Sequence, residues 1–157
     1  MTADPIASLL AAFPEASHRV SLGQDVIVLP VGQLAEIAAA AREAGFETWI
    51  DLAAVDYLDR RPRFEVVVNL VSMQHRRRLR LRAGVPGDDP VVPTLTGVYP
   101  GANFYEREAY DLFGIRFDGH PDLTRILLPD DWEGHPLRKD TPVGAVPVQF
   151  KSADEVR

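Results

Sequence analysis

Apolar positions recur first with a helical period, then with a strand period, and finally with no period at all along this chain. Pro5–Phe13 is predicted as a short helix, with Asp4 able to cap it, Pro5 suited to its first turn and Pro14 stopping it. Ala16–Leu22 and Asp25–Leu29 read as two strands joined by a tight turn at Gly23-Gln24. Val31–Ala44 predicts a second helix, with Leu34, Ile37, Ala38 and Ala41 on one stripe and Gly45 at its C-terminal stop. Three strands follow, at Thr48–Tyr57, Arg63–Val71 and Arg76–Arg82. The second is β-branched and almost continuously apolar, as a central strand should be. The third alternates strictly: Leu79 and Leu81 lie on one face, and Arg76, Arg78, Arg80 and Arg82 on the other. A strand so charged is expected at a sheet edge, where charge discourages aggregation.

The order α-β-β-α-β-β-β predicts an α+β fold in two layers, helices on a mixed or antiparallel sheet, over residues 1–84. Residues 85–99 form a Pro/Gly-rich linker with room for a short strand at Val91–Leu95. Pro100–Phe113 is a third helix, and residues 100–157 read as that helix followed by a long extended C-terminal tail, all within one structural unit. A long aperiodic segment is not expected of a compact domain standing alone. It is expected of a segment that lies on another protein.

Charge changes the picture further. The net charge of −6 divides as −6 over residues 1–58, +6 over 59–83 and −6 over 84–157. A basic band between acidic flanks predicts charge-matched contact, internal or with a partner. Arginine outnumbers lysine 15 to 2, which suits bidentate carboxylate pairing; a GC-rich genome would produce the same bias. With no cysteine at all, the chain has no disulfide, no thiolate zinc site and no cysteine-ligated iron–sulfur cluster. An acid precedes the short apolar run at the N-terminus, so neither an export signal nor a transit peptide is expected. No apolar run reaches the roughly 18 residues of a membrane-spanning helix, so membrane association is expected to run through partners.

The tail concentrates the candidate chemistry. Arg107 and Asp111 are four apart on the third helix and can pair, with Glu106 and Glu108 beside them. Downstream stand His120, Asp122, Arg125, His135, Arg138, Lys139 and Asp140. Gly119-His120-Pro121 is echoed by Gly134-His135-Pro136, two bends that each present a histidine. Two histidines among carboxylates invite a zinc or magnesium site and a metal-dependent hydrolase, but the spacing fits no local metal motif. A salt-bridge network fixing the helix–tail geometry is the reading the residues favour, with the histidines as hydrogen-bonded interface groups. No nucleophile elbow, dinucleotide fingerprint or phosphate loop is present, and the arginine strand lacks the interleaved aromatics of a nucleic-acid groove.

From Glu106 to Asp140 the chain reads E-R-E-A-Y-D-L-F-G-I-R-F-D-G-H-P-D-L-T-R-I-L-L-P-D-D-W-E-G-H-P-L-R-K-D. This run resembles the signature of the 30 kDa subunit of respiratory complex I, the proton-pumping NADH:quinone oxidoreductase. The resemblance implies a non-catalytic scaffold subunit of the peripheral arm. Its partners would be the large quinone-site (49 kDa-type) subunit and the iron–sulfur subunits, and FMN and the iron–sulfur clusters would lie in those partners. It implies residence at the cytoplasmic side of a bacterial cell membrane. It marks Glu106, Arg107, Glu108, Asp111, Phe113, His120, Asp122, Arg125, Trp132, His135, Arg138, Lys139 and Asp140 as signature or interface residues. Thr124 departs from the pattern, because the family commonly has a basic residue there. An equivalent subunit of a related membrane complex, such as an energy-converting hydrogenase, would carry a similar signature.

Overall fold

The computed structural model describes residues 4–142 and residue 144. The predicted tail therefore continues, at residue 143 and from 145 to 157, outside the described residues. Its elements run α1 (Pro5–Ala12), β1 (Ser17–Ser21), β2 (Gln24–Pro30), a 3-10 turn (Val31–Gln33), α2 (Leu34–Glu43), β3 (Thr48–Asp56), β4 (Phe64–Ser72), β5 (Arg77–Val85), β6 (Val91–Pro93), α3 (Ala102–Phe113) and β7 (Arg116–Asp118).

β1 to β5 form one mixed sheet in the order β1-β2-β5-β4-β3, parallel only between β2 and β5. The predicted α+β layering is what forms. Ile27, Leu29, Leu52, Val66, Val68, Leu70, Leu79, Leu81 and Ala83 alternate onto one face and pack with Ile6, Leu9, Leu34, Ile37, Ala38 and Ala41 of the helices. Val92, Leu95 and Tyr99, from the Pro/Gly-rich stretch, enter the same core, and the Tyr99 hydroxyl donates to the Phe46 carbonyl at 2.7 Å.

Three local expectations are corrected. The β1–β2 turn is Leu22-Gly23 rather than Gly23-Gln24: both have positive φ (51° and 72°), and Gln24 pairs with Ser21. A type I′ two-residue hairpin loop, whose twist matches that of its strands, needs φ > 0 at both positions. Arg76 also has positive φ (52°) and belongs to the turn before β5. Most consequentially, β5 is not an edge strand but lies between β2 and β4. Its charge is tolerated because neighbouring strands supply partners. The Arg82 guanidinium forks onto Glu65 (2.7 and 2.9 Å), and Arg80 Nε donates to the Asn69 side-chain oxygen at 2.9 Å. Arg77, whose parity is that of the core face, closes the end of the sheet by forking onto buried Asp25 (2.8 Å twice).

The second sheet is only half predicted by the sequence. β6 falls within the predicted Val91–Leu95 strand, but its parallel partner β7 lies in the segment that reads as irregular from Gly114 on. Three residues are too few to show a period. Beyond β7, residues 119–142 have no helix or strand and run back over α3 as a strap.

Candidate functional site

One carboxylate is the hub of the contacts that hold the strap to α3. Asp111 is fully buried near the C-terminal end of that helix. Its Oδ2 accepts from three successive strap amides, Ile126 (3.1 Å), Leu127 (2.8 Å) and Leu128 (2.9 Å), and its Oδ1 accepts from Arg125 Nη1 at 2.7 Å. Burial opposes the charge, but the Leu128 amide, the Arg125 guanidinium and the Leu127 and Ile126 amides outweigh it and hold the pKa at about 2. Arg125 reaches on from there: its Nη2 donates to the carbonyls of Trp132 (2.9 Å) and Gly134 (3.1 Å), folding the strap over itself.

The Arg107–Asp111 pair that the spacing allows does not form. Arg107 instead donates to the carbonyls of Thr124 (3.2 Å) and Arg125 (3.0 Å), so a helix cation binds the strap's backbone while the strap's Arg125 binds the helix carboxylate. An i,i+4 pair on an exposed helix is worth only a few tenths of a kcal/mol, and the strap offers both groups better-enclosed partners. Thr124 contributes only its carbonyl here, and its side chain is exposed.

Gly114 ends α3 in the left-handed region (φ 72°), and a Cβ there would come within 2.7 Å of His135 and Arg138. The glycine thus serves both the backbone turn and the strap's close approach. His135 Nδ1 donates to the Asp111 carbonyl (2.9 Å), and Arg138 Nε donates to the Phe113 carbonyl (2.6 Å) beside the Phe64 ring. His120 donates through Nε2 to the Asn103 carbonyl (3.2 Å) and accepts from the Asp122 amide at Nδ1 (3.0 Å). The two histidines are therefore engaged with backbone. Among the described residues no three His, Asp or Glu side chains gather as a metal-ligand set, and the hydrolase alternative has no assembled site there.

A second anchor has no counterpart in the sequence reading. Asp56, at the end of β3 and 2 % exposed, receives Arg63 in a bidentate pair (2.9 and 2.7 Å), the Leu58 amide (2.8 Å) and the Lys139 amide of the strap (2.8 Å). The Arg63 guanidinium foremost holds this carboxyl far below the usual range, against the effect of burial. Arg63 extends to Asp140 at 2.9 Å, so the last signature residues are tied to the sheet. No local pattern announces a contact spanning 77 positions.

Glu106 stands apart. It is fully buried, accepting from the Leu95 amide and the Thr94 hydroxyl (2.6 Å each), and forms no ion pair among the described residues. Burial pushes its pKa up, against the hydrogen bonds from Thr94 and Leu95 and a weak pull from His120. Glu108, Asp122 and the Lys139 side chain face outward, and Trp132 is half-buried.

Fold and junction together define a small α+β protein whose signature helix organises a C-terminal strap. The family described as "Respiratory-chain NADH dehydrogenase, 30 Kd subunit" matches residues 27–146, and the chain belongs to it. The C subunit of the NADH-quinone oxidoreductase of Salinispora arenicola is 48 % identical over 97 % of this chain and 64 % of its own length, so the chain spans about two-thirds of that relative. The trypsin-resistant fragment (1-134) of Nqo5 is 38 % identical, with a TM-score of 0.67 over 75 % of this chain and 96 % of the fragment. A chain of the membrane-bound sulfane sulfur reductase, an archaeal respiratory membrane complex, superposes with a TM-score of 0.80 over 94 % of this chain and 93 % of its own. At 23 % identity, that likeness is one of fold.

Proposed function

We propose that this chain is the scaffold subunit of the peripheral arm of a proton-pumping NADH:quinone oxidoreductase. It holds the large quinone-site subunit and the iron–sulfur subunits in place while electrons pass from NADH to quinone. FMN and the clusters belong to those partners, and this chain supplies no catalytic residue. Its contact with the cytoplasmic side of a bacterial membrane runs through the complex; among the described residues no helix is long and apolar enough to cross a bilayer.

The observation that carries this reading is the division of roles in the strap. Arg125, Arg138 and Asp140 are spent on contacts within the chain, while Leu127 and Leu137 are 62 % and 51 % exposed. Large aliphatic side chains held outward on a pre-ordered frame are the anchors of a protein interface, and Glu108, Asp122 and Lys139 form its polar rim. The fold shared with a chain of the archaeal sulfur-reducing complex supports a second reading, the equivalent subunit of a related membrane complex. The electron-donor module separates the two.

Affinity purification of the full chain from gently solubilised membranes, with mass identification of the co-purifying subunits, tests both. Recovery of quinone-site, iron–sulfur and NADH-binding subunits is expected. A hydrogenase-type large subunit without an NADH-binding one selects the second reading. Recovery of the chain alone beside an intact complex overturns both.

A further inference from the structure

The sheet has a second face, and no helix among the described residues covers it. One row of paired residues crosses all five strands there: Asp51 on β3, Asn69 on β4, Arg80 on β5, Val26 on β2 and Arg19 on β1. Asn69 donates to Asp51 at 2.6 Å and accepts from Arg80 Nε at 2.9 Å, so the amide relays Asp51 to Arg80 and sets the guanidinium's direction. Val26 is 2 % exposed yet stands outside the core cluster, flanked in register by Arg19 and Arg80. Long arginine stems cover such a residue while their heads remain in solvent.

Arg78 lies on the same face, two positions before Arg80, and is exposed. Within the basic band Arg63, Arg77 and Arg82 have carboxylate partners, whereas neither Arg78 nor Arg19 makes an ion pair among the described residues. Strand spacing sets Arg80 within about 10 Å of both Arg78 and Arg19, which lie about 12 Å from each other. Beside them the pairing of β3 with β4 slips between Trp49 and Asp51. A bulge re-aims side chains, and here Ile50, 45 % exposed, joins Val71, Asn69, Arg78 and Arg80 around a shallow groove of about 320 Å³. The groove lies at the opposite end of β4 from the Asp56–Arg63 anchor, about 23 Å along the strand.

We infer that this face is a second docking surface, and that its occupant is an acidic segment of another subunit. At least two carboxylates of that segment meet Arg78, Arg80 and Arg19, and one of its aliphatic side chains rests on Ile50 and Val71. The inference rests on the scaffold reading and extends it: the strap grips one neighbour, and the open sheet face grips another. A nucleic acid fits less well, because the groove has no aromatic platform, contains Asp51, and sits on a chain of net charge −6.

The test places a photo-crosslinking amino acid at position 78, and separately at position 127, of the full chain in its membrane assembly, and sequences the adducts. The expected adduct at position 78 is a peptide from another subunit, with two or more Asp or Glu near the attachment point. In Arg78→Glu that association should weaken by about tenfold at moderate salt, and in Arg78→Lys it should be retained. Melting of both variants alone should match the parent, since Arg78 has no ion-pair partner among the described residues. An adduct at 127 with none at 78 sinks this inference and leaves the scaffold reading standing. Adducts at neither position, in an assembly that contains the chain, overturn both. An adduct at 78 to nucleic acid, to a second copy of this chain or to a segment without carboxylates overturns the docking surface alone.

Discussion

The sheet core and the strap are ordered by opposite means. The core is held by apolar side chains whose attraction has no direction and scales with the area hidden from water. The strap has no helix, no strand and little buried apolar surface; it is ordered by directed hydrogen bonds that converge on Asp111 and Asp56. A core loses stability in proportion to what is removed from it. A hub loses many contacts at once when one group goes. The difference predicts that damage to the core is global and damage to the strap is local.

The largest expected effect is therefore on the core. Leu81 is fully buried on the central strand β5, and Leu81→Ala should lower stability by about 2–5 kcal/mol. Thermal unfolding followed by circular dichroism should shift by roughly 10 °C for a chain of this size. Protease sites in residues 119–142 should be no more open than before at room temperature. Early cleavage there would mean that the strap depends on the core's stability rather than on its own bonds.

The same contrast explains what can be read from the sequence. α2 and β5 are legible because burial on one face imposes a period, as Leu34, Ile37, Ala38 and Ala41 show, and β4 because it is β-branched and apolar almost throughout. The central place of β5 is not, because Arg80 and Arg82 find Asn69 and Glu65 only once β4 lies alongside. The signature run marks Asp111 and Arg125 as important, but their bond spans 14 positions and replaces the local Arg107 pair that spacing favours. Asp56 and Arg63 look like the ends of two strands and nothing more. Directed contacts between distant positions leave no periodic trace.

Next in size comes Arg125→Ala. It leaves Asp111 buried without its cation and frees the Trp132 and Gly134 carbonyls, a local cost of about 3 kcal/mol. Hydrogen exchange should show the amides of Ile126, Leu127 and Leu128 losing protection while those of β4 and β5 keep theirs. Equal loss in both regions would make strap and sheet one cooperative unit, and the comparison would fail.

Acid should reproduce that release without a mutation. Asp111 is held at about 2, below an ordinary aspartate, and Asp56 and Asp140 are also lowered by Arg63. A depressed carboxylate contributes stability that is present above its unfolded pKa and is lost as pH falls through the folded one. The strap should thus stay closed at and above about pH 4 and open as pH drops toward about 2. Exchange protection of Ile126–Leu128, followed over that range, should fall before the far-ultraviolet signal of the sheet. A strap that opens instead between about pH 5 and 7 would point to a histidine in control.

The smallest effect is expected where the two modes of ordering meet. Glu106 lies on the helix that organises the strap, yet it is enclosed like a core residue and has only neutral donors, the Leu95 amide and the Thr94 hydroxyl. Its pKa is raised, chiefly by burial, so its sign is the reverse of that of Asp111. Its contribution is greatest when it is protonated and is lost as pH rises through the folded value. Glu106→Gln keeps the shape and removes the titration. The variant should match the parent in acid and equal or exceed it by up to about 1 kcal/mol at neutral pH. Parallel denaturant melts of the isolated chain at several pH values read that difference directly. A variant clearly weaker at neutral pH would show that the charge itself is wanted, as in the Asp111 hub. Glu106 would then belong with the directed network rather than with the core.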